Sequence, residues 1–155
     1  MDLAQIKSAL HDYTALPSST VLVVEDYAPN IMVVAMMLED LGLQAVIAEN
    51  GRQAIEWVLR AGKEFLAILM DVQMDEMDGL ETTRRIRALE QEIGIRNVII
   101  GVTAHALAGD RERCISAGMD DYISKPIHPD ILTTKLNALS DRKKKALQVE
   151  LVPND

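Results

Sequence analysis

Acidic, hydroxylic and basic side chains close the apolar runs of this chain in a pattern that suits phosphoryl transfer. The run Phe65 to Met70 carries no charge and is too short to span a bilayer, so it reads as a strand buried on both faces of a sheet. Asp71 ends it, and Gln73, Asp75, Glu76, Asp78 and Gly79 follow in what must be a turn. Val21 to Val24 ends in the same way at Glu25 and Asp26, Val98 to Val102 at Thr103, and Met119 to Ser124 at Lys125 and Pro126. In an open α/β sheet the carboxyl ends of the strands face the crevice where ligands bind. If the first and third strands are neighbours, Glu25 and Asp26 meet Asp71. Two like charges about 4 Å apart repel by roughly 4 kcal/mol at an effective dielectric of 20, so such a trio needs a cation or a captured proton. All candidate ligands are oxygens, with no Cys or His at metal-ligand spacing nearby, which selects Mg²⁺ or Mn²⁺ over zinc. Lys125 brings a compact positive charge for one phosphoryl oxygen and Thr103 a hydroxyl for another. Asp71 is then the nucleophile that forms an aspartyl phosphate. Each residue alone has a plainer role: Asp71 or Asp26 as a helix cap, Thr103 as a strand end, Lys125 as a solvated charge. The chemistry rests on the set, and Pro126 after Lys125 invites a cis peptide that turns the lysine toward the crevice.

The intervening segments must supply helices that hold these strand ends in register. Pro29 suits a first helical turn, and that helix runs to Leu41 with Gly42 as its stop. Leu43 to Ala48 reads as the second strand, followed by a helix from Gln53 to Arg60 with Ile55, Val58 and Leu59 inward and Trp57 at its edge. A helix from Leu80 to about Ile93 follows, with Arg84, Arg85 and Arg87 on solvated faces, and Ala106 to Ala117 is helical up to Gly118. The last helix starts near Pro129 and points Ile131, Leu132, Leu136 and Leu139 inward, while Arg142 to Lys145 complement its C-terminal dipole. Strands alternating with helices predict a five-stranded parallel sheet with right-handed crossovers, in the flavodoxin-like order 2-1-3-4-5 and a three-layer sandwich. Leu3, Ile6, Leu10 and Tyr13 recur at helical spacing, so a short N-terminal leader helix occupies residues 1–18 with its linker. The domain proper covers 19–140 and a charged tail 141–155.

Composition narrows the classes. With 155 residues and 48% hydrophobic content, the chain suits one domain with a real core. A net charge of −8 argues against a nucleic-acid surface. The single cysteine, Cys114, excludes an internal disulfide framework and reads as a small buried apolar residue. Met1 and Asp2 open no signal peptide, and no apolar run approaches membrane length, so the expected location is the cytoplasm with no membrane contact.

Val24-Glu25-Asp26, Met70-Asp71-Val72-Gln73-Met74 with Met77-Asp78-Gly79, Val102-Thr103-Ala104 and Tyr122-Ile123-Ser124-Lys125-Pro126 together closely resemble the receiver domain of two-component response regulators. The stretch from Thr103 to Ile127 is most similar to receivers of hybrid histidine kinases. The resemblance implies that Asp71 accepts a phosphoryl group from a phosphohistidine on a sensor histidine kinase or histidine phosphotransfer protein. It implies that Asp26, Asp71 and the backbone carbonyl of Gln73 hold Mg²⁺, with Glu25 acting directly or through water. It further implies that Lys125 pairs with the phosphate, that Thr103 and Tyr122 form the switch, and that Gln73 and His105 tune phosphoryl lifetime. Asp75 departs from a common proline and Tyr27 from a frequent asparagine.

On the helix after Asp26, the spacing turns Asn30, Val33, Val34, Met37, Leu38 and Leu41 to the sheet and leaves Ile31, Met32, Ala35 and Met36 outside. That outer stripe is expected to dock a helical phosphodonor, or else to pack on the leader helix. The leader helix packs on the domain or on a second copy in a homodimer. A dehalogenase-like phosphatase would want an acid where Gln73 stands, and an FMN carrier would need a phosphate loop where Glu25 and Asp26 repel one. An interaction module that works without phosphorylation is the remaining alternative, although it keeps Asp71, Thr103 and Lys125. The chain thus reads as a switch acting on a downstream protein through the face of Ala106, Cys114, Tyr122 and the last helix. As an enzyme it would show at most slow aspartyl-phosphate hydrolysis.

Overall fold

The computed structural model describes residues 16–104 and 108–151. The leader helix, His105 and Ala106 lie outside the described residues. Strands β1 (Thr20–Val24), β2 (Gln44–Ala48), β3 (Ala67–Asp71), β4 (Ile99–Thr103) and β5 (Asp121–Ser124) form one sheet in the order β2-β1-β3-β4-β5, every pair parallel. Helices α1 (Ala28–Asp40), α2 (Gly51–Ala61), α3 (Gly79–Ile93) and α4 (Ala108–Ala117) make the four crossovers, and α5 (Pro129–Leu151) follows β5. β1, β3 and β4 are buried along their whole length, as the uninterrupted apolar runs require of a sheet covered on both faces.

Alternation along each strand sorts the core into two halves. Leu22, Val24, Ile68, Met70 and Ile99 pack with Ala54 and Val58 of α2, Ile86 of α3 and Cys114 of α4. Val21, Val23, Leu69, Ile100 and Val102 pack on the other side with Val34 and Leu38 of α1 and Leu132 and Leu136 of α5. Local signals set the helix ends. Asn50 Oδ1 accepts from Gln53 N at 2.8 Å, and Asp78 Oδ1 accepts from Glu81 N at 2.8 Å, each capping a helix start. Gly62 and Gly94 close α2 and α3 at φ 60° and 75°.

Register brings the functional rim together. Val24 pairs with Met70, Asp71 with Val102 and Thr103 with Ser124, so Glu25, Asp71, Thr103 and Lys125 emerge at one edge.

Several helix faces differ from the sequence reading. Ala54, Val58 and Ala61 form the inward stripe of α2, and Leu59 is exposed. The inward stripe of α5 starts at Leu132, which leaves Ile131 outside. On α1 Val33 is 50% exposed beside Met32 at 65% and Met36 at 63%, while Ile31 and Ala35 are half-buried. Met119 precedes β5 as a buried turn residue. Cys114 is buried in the core, so it cannot be part of an output face. α5 continues through Arg142 to Lys145 as far as Leu151, so those cations lie within the helix and residues 141–151 form no separate tail. Lys143 holds this extension to the domain, its Nζ donating to Phe65 O at 3.0 Å and Ser18 O at 3.2 Å, and burial pulls its pKa down.

Arg87 also departs from its expected solvated place. Its Nε donates to Gly118 O at 2.9 Å, and its other nitrogens to Glu90, Asn97 O and Asp120 at 2.6, 2.7 and 2.8 Å. Buried Glu90 accepts from the Asn97 amide side chain at 3.0 Å, and Asn97 Oδ1 accepts from Phe65 N at 2.7 Å. This network ties α3 to the chain entering β3, β4 and β5, at the edge opposite Asp71. Removing one partner of a buried charge pair leaves the other uncompensated. Arg87→Ala is therefore expected to lose about 3 kcal/mol or more in urea unfolding; a loss below about 1 kcal/mol would place it among ordinary surface pairs.

Candidate functional site

The strand ends set the first three groups of the site. Glu25 and Asp71 are buried and Asp26 is exposed, and each offers a carboxylate oxygen within 4.8 Å of the others. Lys125 reaches into the group, with Nζ 3.0 Å from Asp71 Oδ1 and 3.5 Å from Glu25 Oε2. The Lys125–Pro126 bond is cis, as the sequence suggested. Lys125 N donates to Thr103 O at 2.7 Å, and Val72 N to Val102 O at 2.9 Å, which fixes the loops after β5 and β3 against β4. Thr103 is buried at the end of its strand.

Further contacts hold these groups in place. Glu25 Oε1 accepts from Asn30 Nδ2 at 3.1 Å and from Tyr27 N at 3.3 Å, so the first turn of α1 orients it. Gln73 N donates to Asp71 Oδ1 at 3.2 Å. Gly79 N donates to Val72 O at 3.0 Å, and a Cβ on Gly79 would stand 2.1 Å from the Asp71 carbonyl oxygen. Only glycine lets the start of α3 approach the Asp71 backbone this closely. The sequence marked Gly79 as a turn residue and Asn30 as a sheet-facing one; neither role against the site could be read from spacing alone.

Electrostatics follow from this crowding. The Asp71 carboxyl is pushed up to about 6, first by burial and then by Glu25, with the Lys125 hydrogen bond pulling the other way. An all-oxygen set of this charge fits a hard metal ion, and no soft ligand joins it among the described residues. Among the described residues, two openings lead to the site. An apolar one of about 210 Å³ lies between α1 and the loop after β5, walled by Val33, Val34, Leu69, Pro126 and Ile127 and reaching Glu25, Asp71 and Lys125. A polar one of about 320 Å³ is lined by Asp26, Gln73, Met74, Asp75, Asp78 and Thr103 with Asp110 and Arg113 of α4. Gln73 is exposed at its wall, and Tyr122 is half-buried on β5. The involvement of Asp110 and Arg113 had no signal in the sequence. No helix among the described residues is long and apolar enough to cross a membrane.

Comparison with known proteins agrees with this arrangement. The family model for the response regulator receiver domain matches residues 21–137. Hybrid signal transduction histidine kinase I of Dictyostelium discoideum is 39% identical over 120 residues, covering 76% of this chain and 7% of that protein. Sensor protein GacS of Pseudomonas syringae pv. syringae is 36% identical over 143 residues, covering 86% and 16%. The chain therefore spans only a small part of the curated relatives it matches. Among solved structures, the receiver domain of a Pseudomonas aeruginosa sensor histidine kinase, with magnesium ion coordinated in its active site cleft, is 40% identical at a TM-score of 0.69, covering 78% of this chain and 96% of that one. The receiver domain of Saccharomyces cerevisiae Ssk1, co-crystallised with the histidine phosphotransfer protein Ypd1, gives 0.72 at 26% identity, covering 79% and 88%.

The raised carboxyl of Asp71 has a pH signature. Its folded pKa lies above the usual carboxylate value, so the native state binds the proton more readily and its stability falls as pH rises from about 4 through about 6. In metal-free buffer the stability of Asp71→Asn relative to the wild type is expected to increase by about 2 kcal/mol between pH 4 and 7. Denaturant melts across that range check it, and a pH-independent gap would contradict the burial argument.

Proposed function

This chain belongs to the response regulator receiver domain family, and from that membership we propose that it takes a phosphoryl group from a phosphohistidine onto Asp71 in a two-component phosphorelay. The observation that carries the reading is a buried Asp71 with Lys125 Nζ 3.0 Å away and two further carboxylates within 4.8 Å. A carboxylate oxygen of Asp71 forms the new P–O bond as the P–N bond breaks, and the imidazole nitrogen leaves with the electron pair. Lys125 exchanges its carboxylate contact for a phosphoryl oxygen, and the Thr103 hydroxyl donates to another. Asp26, Asp71 and the Gln73 carbonyl, with Glu25 directly or through water, would hold Mg²⁺ or Mn²⁺, which when bound supplies positive charge to the phosphoryl oxygens. Thr103 turning toward the phosphate lets Tyr122 move inward, and the altered surface beside β5 and α5 is what a downstream protein reads. Gln73 and His105 set how long the phosphoryl group lasts. The protein is a switch working in the cytoplasm, with hydrolysis at most a slow side reaction.

Its donor is a histidine phosphotransfer protein or a sensor histidine kinase. Met32, Val33 and Met36 form the exposed apolar face of α1, with exposed Tyr27 at its N-cap, and Val33 also walls the apolar opening to Asp71. A helical partner seated there brings its histidine over the nucleophile, with the methionines adapting to its surface.

Incubation with Mg²⁺ and acetyl phosphate followed by intact mass should add one phosphoryl group to the wild type and none to Asp71→Asn. Equal uptake by both proteins would sink the assignment, and no uptake by either would favour a module that works without phosphorylation. Met32→Glu with Met36→Glu should slow transfer from a phosphorylated histidine phosphotransfer protein by about tenfold or more with unchanged thermal stability. Undiminished transfer would remove α1 from the docking surface.

A further inference from the structure

The polar opening has a charge balance that the acceptor chemistry does not explain. Its wall carries Asp26, Asp75, Asp78 and Asp110, and Arg113 is the one cation among the described residues that line it. Once the metal-facing Asp26 is set aside, three carboxylates remain along the route to Thr103 and Gln73. A small phosphodonor such as an acyl phosphate is itself an anion, so this wall repels it. The apolar opening on the other side of Asp71 has no such barrier, and it lies beside the helix face assigned above to a protein donor.

Arg113 is placed to relieve the repulsion. Its guanidinium lies 3.6 Å from Asp110 one turn earlier on α4, and its side chain is 64% exposed. At 3.6 Å, with its guanidinium in water and only the Asp110 side chain partly buried at 20% exposure, this pair is loose enough to let go. A guanidinium also presents a planar fork of donors that matches phosphate oxygens.

We propose that Arg113 is a positioning residue for small anionic phosphodonors: it guides an acyl phosphate through the polar opening to Asp71, with Asp110 as its resting partner. The inference rests on Asp71 being the phosphoacceptor. In the step it assists, an Asp71 carboxylate oxygen bonds to phosphorus as the P–O bond to the acyl group breaks, and the acyl carboxylate departs with the electron pair. Arg113 acts on the encounter and takes no proton.

The test is the second-order rate of phosphoryl uptake from acetyl phosphate with saturating Mg²⁺, followed by intact mass for a charge series at position 113. Arg113→Lys should stay within about twofold of the wild type, Arg113→Gln should fall about 3- to 10-fold, and Arg113→Glu should fall further. Asp110→Asn, which removes one of the opposing charges, should be faster than the wild type. The spread should collapse at about 1 M salt, where the Debye length is about 3 Å. Loss of the phosphoryl group to water, an uncharged reactant, should be the same across the series. Equal uptake by the Lys, Gln and Glu variants overturns the proposal, as does a deficit that persists at high salt or appears equally in hydrolysis. A wild type that takes up no phosphoryl group removes the acceptor reading itself, whereas normal wild-type uptake with a flat series removes only the role of Arg113.

Discussion

Three crowded carboxylates, two of them sharing one ammonium group, set the terms for the rest of this structure. Glu25 and Asp71 are drawn out of water, where charge is costly, and Lys125 compensates both from 3.5 and 3.0 Å. One lysine cannot balance Glu25, Asp26 and Asp71 together. The remaining negative charge is what makes the rim receptive to a hard cation, and the carboxyl of Asp71 is raised first by burial and then by Glu25. A site in this condition is held in place by its scaffold, because its own charges would push it apart.

The scaffold does this with backbone. Parallel pairing places the ends of β1, β3, β4 and β5 at one edge, and the loops that leave them are tied by Lys125 N to Thr103 O and Val72 N to Val102 O. Gly79 adds a close approach of α3 to the carbonyl of Asp71 that no side chain could share. At the opposite edge the Arg87 network joins α3 to the segments entering the same strands. The sheet is therefore fastened at both ends of its central strands, by hydrogen bonds around a reactive crevice on one side and by a satisfied buried charge cluster on the other.

The strand ends were legible in the sequence because each lies at a sharp boundary between an apolar run and a polar turn, a signal contained within a few residues. Glu25, Asp26, Asp71, Thr103 and Lys125 converge as that reading required. The phase of α1 was harder. Ile31 to Ala35 is an unbroken apolar run, so a 3.6-residue period alone cannot decide whether Val33 faces the sheet or the solvent. Leu59 and Ile131 pose the same ambiguity beside Val58 and Leu132. Arg87 reads as a solvated charge in the sequence, since its partners Asn97, Gly118 and Asp120 stand far along the chain and only the fold assembles them. The length of α5 was missed for the same reason. A run of basic residues looks like a helix ending until the carbonyls of Ser18 and Phe65 are seen to receive Lys143.

That lysine also decides which parts of the fold are held together. By gripping Ser18 O and Phe65 O it lashes the segment leading into the first strand to the far reach of the last helix, on the side away from Asp71. Both points of attachment share one pole. The entry to β1 and the far reach of α5 are therefore held as one piece, while the acidic rim stands at the other end of the strands.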